Sequence, residues 1–111
     1  MKYLITESQK DKVVGKYLTN LFDTLGKFKS EKYPVGTFYA NNNGKIIAEV
    51  YKSTHSFVVV IDYDVWSHIS DLFGFERIRE MQDSISKWAD NYFGYNNTLV
   101  DFGEYDTIDD I

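Results

Sequence analysis

The chain is predicted to fold as a single α+β domain over residues 1–111: an antiparallel sheet of three to four strands packed with helices, in the order (β)αβββααβ. Three observations point there. Residues 7 to 25 repeat apolar side chains at the spacing of one helical face. Residues 35 to 61 shift to strand-like patterning around an Asn-Gly pair. From Asp64 the helical period returns, ahead of a last apolar stretch, TLVDF, at 98 to 102.

Each element has its own signal. Thr6-Glu-Ser-Gln9 has the form of a capping box, in which the Thr6 side chain accepts from the Gln9 amide and Gln9 returns the bond. Val14, Leu18, Leu21 and Leu25 then form one stripe, widened by Tyr17 and Phe22, with Lys10, Lys12 and Lys16 largely off it. Gly26 is the expected stop, and Lys2 to Ile5 is a candidate short strand ahead of the helix. Residues 27 to 32, KFKSEK, read as a charged connector closed by Pro34, the only proline.

Asn43 and Gly44 favour a type I′ turn, which needs two positive φ angles, between strands at 35–41 and 45–52. Ser53 to Ser56 makes the next turn, so three strands form an antiparallel meander. Phe57 to Ile61 is apolar at every position, and that strand is expected to be covered on both faces, or on one of them by a partner. Asp64 is the expected cap of a short helix over residues 65–73 that Gly74 ends. Ile78, Met81, Ile85, Trp88 and Tyr92 mark the ridge of a longer helix over 76–93, stopped by Gly94. Residues 103–111 hold four acids in nine positions and are expected to fray as an acidic tail.

Composition narrows the class. There is no cysteine, which removes disulfides and thiolate metal sites and favours the cytosol. No apolar run approaches the ~20 residues of a membrane span, and the N-terminus turns polar too early for a signal peptide. The net charge of −5 is unevenly spread. Residues 1–55 carry nine lysines against five acids, +4, and residues 56–111 carry three cations against twelve acids, −9. An acidic whole disfavours nucleic acid as a partner, because that affinity rests on cations.

Asp62-Tyr-Asp64, at the end of an apolar strand, invites a Mg²⁺-dependent phosphoryl-transfer reading, in which one aspartate attacks phosphorus and both hold the metal. That chemistry needs a parallel sheet whose crossovers bring further carboxylates and a lysine to the strand end, and the strands before Asp62 are joined by short turns. An element boundary explains the pair better: Asp64 caps a helix and Asp62 ends a strand in solvent. His55 and His68 lack companions for zinc or for a serine triad. Lys27 to Lys32 mixes cations with an aromatic, as single-strand binders do, but three lysines with one glutamate are more often a solvated loop, and that is the expected reading. The chain is therefore expected to have no catalytic site, no metal and no cofactor.

The opening Met-Lys-Tyr-Leu-Ile-Thr-Glu-Ser-Gln9, the segment Val65-Trp-Ser-His-Ile-Ser-Asp-Leu-Phe-Gly74 and the later Ile85-Ser-Lys-Trp88 resemble segments of small proteins encoded by large tailed phages, marine ones especially. The resemblance implies a viral origin, in the virion or the host cytoplasm, and carries no functional residues. Two roles fit: a virion or assembly component that binds protein copies or itself, and an inhibitor that binds a host factor, offering carboxylates where nucleic acid would sit. For the second role Glu80, Asp83 and Asp90 of the long helix, with Asp101, Glu104 and Asp106, are the candidate partner-binding residues. Abundant Tyr, nine residues, suits a protein interface in either case.

Overall fold

The computed structural model describes residues 7–32 and 36–110; the expected strand at 2–5, the Thr6 cap and Pro34 lie outside them. Helix α1 spans Glu7–Phe22, α2 Tyr63–Phe73 and α3 Ile78–Phe93. Five strands, β1 Gly26–Lys29, β2 Gly36–Ala40, β3 Ile46–Lys52, β4 Phe57–Asp62 and β5 Leu99–Gly103, form one sheet in chain order. The first three junctions are antiparallel and β4–β5 is parallel.

The α+β class holds, and two features correct the expected sheet. The KFKSEK connector is in part an edge strand. Helix α1 ends at Phe22, three residues early, and Gly26 opens β1 instead of stopping a helix. Lys27, Phe28 and Lys29 alternate polar, apolar, polar, the period that pairing with β2 demands. The last strand, in turn, runs parallel to its neighbour. A parallel pair needs a long crossover, and α2 and α3 supply it between β4 and β5.

Two local features also differ. In the β2–β3 turn Gly44 has φ 81° and no Asn there has positive φ, so the turn is not type I′. The Asn41 carboxamide accepts from the amides of Asn43 (2.9 Å) and Lys45 (3.1 Å) and shapes the turn by side chain. Helix α2 is capped by Asp62, whose carboxylate accepts from the Asp64 amide at 3.2 Å; Asp64 lies inside the first turn.

The core sits between the helices and one face of the sheet. Val14, Leu18 and Phe22 of α1, Trp66 and Ile69 of α2, and Met81, Ile85 and Trp88 of α3 meet Tyr39, Ala48, Val50, Val59, Ile61 and Val100. Ile78 of the expected ridge points outward instead, 58% exposed. The opposite face takes Phe38, Glu49 and Val60, which sit side by side in register. Residues 104–110, whose charge suggested fraying, lie against this face. The Ile46 amide donates to Asp106 O (3.0 Å), the Ile108 amide to Gly44 O (2.8 Å), and the Tyr105 ring meets Phe38 edge-on at 6.4 Å.

Candidate functional site

Asp62 is buried, 3% exposed, where β4 ends. Its Oδ1 lies 3.2 Å from the Lys45 ammonium and accepts from the Tyr105 amide at 3.2 Å, while Oδ2 takes the Asp64 amide. Lys45 also donates to Tyr105 O. The expectation that Asp62 ends the strand in solvent is therefore corrected. The sheet geometry used against a phosphoryl-transfer reading needs correction as well, since β4 does have a parallel neighbour reached by helices. A cation at Asp62 would meet the Lys45 ammonium already held 3.2 Å from Oδ1. Among the described residues no group of three or more His, Asp or Glu converges as a metal site. Nearby, burial raises the Tyr105 hydroxyl above its usual range, and its hydrogen bond to Glu49 (2.8 Å) adds to this.

The six candidate acids do not form one surface. Glu80 and Asp83 border a small cleft between α1 and α3, of about 230 Å³, that also presents Lys10 and Lys87. Asp11 in that cleft accepts from Ser84 and from Lys87 at 2.9 Å. Burial works to raise its carboxyl, but those two donors outweigh burial and hold it below the usual value. Asp90 is half-buried and already bonded: it accepts from the amides of Asn97 (3.1 Å) and Thr98 (3.0 Å) and from the Thr98 hydroxyl (2.5 Å). Asp101 is exposed on the sheet face away from the helices, bonded to the Phe102 amide at 2.8 Å. Glu104 and Asp106 are exposed on the segment lying against that same face. The helix acids and the strand acids thus lie on opposite sides of the sheet.

The two sheet edges differ sharply. Along the β5 edge some outer backbone groups are taken by side chains: Ser86 donates to Thr98 O, just before the strand, at 2.6 Å, Gln82 donates to Val100 O at 2.9 Å, and the Phe102 amide donates to the adjacent Asp101 carboxylate. Helix α3 thereby covers part of that edge, one of the ways proteins keep an edge strand from recruiting another chain. The outer side of β1 has no such cover: among the described residues no strand pairs with it and no group hydrogen-bonds to it.

Lys27 and Lys29, weighed in the sequence only as part of the basic stretch 27–32, are exposed on this strand and stand beside Tyr39 and Thr37 on the helix-side face. No ion pair engages either lysine among the described residues. The helices leave this corner open. Phe22, Tyr39, Tyr92, Phe93 and Tyr95 wall a groove of about 630 Å³ beside the two lysines. The Lys27 ammonium hangs 6.0 Å from the Tyr39 ring centre.

Within the wall the rings are turned against one another. Tyr95 stacks on Phe57 at 3.6 Å and on Phe93 at 5.5 Å, and Trp88 stacks on Tyr92 at 5.1 Å. Burial, then the hydrogen bond to Asp23, raises the Tyr92 hydroxyl to about 12, so it stays protonated and donating. Comparisons of the chain with protein-family models, curated proteins and solved structures found no match.

Proposed function

We propose that this protein is a non-catalytic protein-binding module that docks an extended partner segment on the outer edge of β1. One observation carries the reading: among the described residues one sheet edge is partly covered by side chains, while the other has no pairing strand, is exposed and is bordered by a groove. A bare edge offers main-chain donors and acceptors in a row, and an extended segment adds to it as one more strand. In this reading the buried Asp62, held by the Lys45 ammonium and the Tyr105 and Asp64 amides, is a structural hub, which accounts for the Asp-x-Asp pair without reaction chemistry.

Given the viral origin that the resemblance to phage-encoded proteins implies, the proposed setting of the module is virion assembly. The acidic-inhibitor role ranks second, because the acids it needs are divided between two sides of the sheet and Asp90 is already engaged. The test is affinity capture from phage-infected cell lysate with the wild-type chain and with K27E/K29E, beside a search for the chain in purified particles. A partner held by the wild type and lost by the double variant is expected. Equal recovery by both would place the interface elsewhere.

A further inference from the structure

Resting on that reading, we infer that the segment docked on β1 is acidic and extended, with carboxylates and apolar side chains alternating. The pleat dictates the pattern. A strand added beside β1 turns alternate side chains to opposite faces, and same-face neighbours on adjacent strands stand within direct reach of one another. On the helix-side face the neighbours are Lys27 and Lys29, two ammonium groups with no ion-pair partner among the described residues. Every second residue of the incoming strand that faces them is best a carboxylate. On the other face the neighbours are Gly26 and the half-buried Phe28, whose ring lies against Gly26 and pairs in register with buried Phe38. Residues between the carboxylates therefore meet apolar surface and room, and are best apolar.

Two other occupants fit less well. A second copy pairing β1 against β1 would bring lysines toward lysines, and like charges directly opposite oppose pairing. Single-stranded nucleic acid wants free ring faces for its bases. Here the faces of Tyr95 are taken by Phe57 and Phe93, and Tyr39 is only 5% exposed. Lysines on an edge are a general guard against aggregation. That guard works against neutral and basic strands and selects an acidic one.

The test uses the full chain, isotope-labelled, titrated with capped peptides of about six residues, an ordinary strand length. One alternates Glu with Val, one Gln with Val and one Lys with Val. The Glu peptide is expected to shift the amides of residues 26–29. The Gln peptide is expected to bind roughly tenfold more weakly, the loss of two exposed ion pairs. K27E/K29E is expected to reverse the order, so that the Lys peptide binds best. Both side chains are exposed, and K27Q/K29Q serves if charge reversal disturbs the fold, with the Glu and Gln peptides then binding equally.

If Glu and Gln peptides bind β1 of the wild type equally, the acidic assignment falls while the docking edge stands. Failure of every peptide to shift residues 26–29 overturns both. Displacement of the Glu peptide by a thymidine oligonucleotide at lower concentration, or dimers formed through β1 in sedimentation, would each overturn the assignment in favour of nucleic acid or a second copy.

Discussion

Asp62 shows how much one side chain can do in a small domain. Its carboxylate ends β4, caps α2, neutralises Lys45 and holds the Tyr105 amide. Replacing it with Ala removes the cap and leaves an ammonium, 34% exposed, without its partner. The cap alone is worth ~0.5–2 kcal/mol, and a stranded, partly buried charge adds to it. Asp62→Ala is therefore expected to cost about 2–3 kcal/mol in urea unfolding, and Asp62→Asn less, since its amide oxygen can still cap. A wild-type midpoint for Asp62→Ala would remove the hub. The sequence made Asp62 and Asp64 stand out as a pair but could not tell which of them caps. That choice depends on Lys45 and Tyr105, which are distant in the chain and close only through the β2–β3 turn and the tail.

Between elements, the contact of α1 with α3 carries a pH signature. Asp11 of α1 is held below its ordinary value by Ser84 and Lys87 of α3. A depressed folded-state carboxyl contributes stability above its unfolded value of 3.8, and that contribution is lost as pH falls through the lower, folded value. Asp11→Asn is expected to flatten the loss of stability below about pH 4, measured as urea midpoints across pH. An acid limb as steep as the wild type's would contradict the tie.

Elements with strong periodicity were legible: α1, α2, α3, β3 and β4 fall close to where their apolar spacing puts them. Strand β1 was not, because four residues with two lysines look like a loop until β2 lies beside them. The direction of β5 was equally hidden. Five residues of TLVDF type fit a parallel or an antiparallel neighbour, and two helices ahead of them can return the chain in either direction. Of the candidate site, the acids were legible as charge, but Lys27 and Lys29 emerge only once the strand places them on one face.

Over the whole molecule, chain order and sheet order coincide, so an uneven sequence becomes an uneven object. The lysine-rich first half supplies the β1 edge and the acid-rich second half supplies β5 and the segment after it. Opposite edges of opposite sign would allow copies to join head to tail. The Ser86, Gln82 and Asp101 side chains cover part of the β5 edge and hinder that route, while among the described residues no strand pairs with the outer side of β1. No helix among the described residues is long and apolar enough to cross a membrane.

Site-resolved amide hydrogen exchange on the unbound chain reads directly the contrast between the uncovered β1 edge and the partly covered β5 edge. The Thr98 amide, bonded to Asp90 at 3.0 Å, should exchange slowly, while the amides of residues 26–29 that face away from β2 should exchange at rates close to those of a free strand. Slow exchange throughout residues 26–29, or an unprotected amide at Thr98, would contradict it.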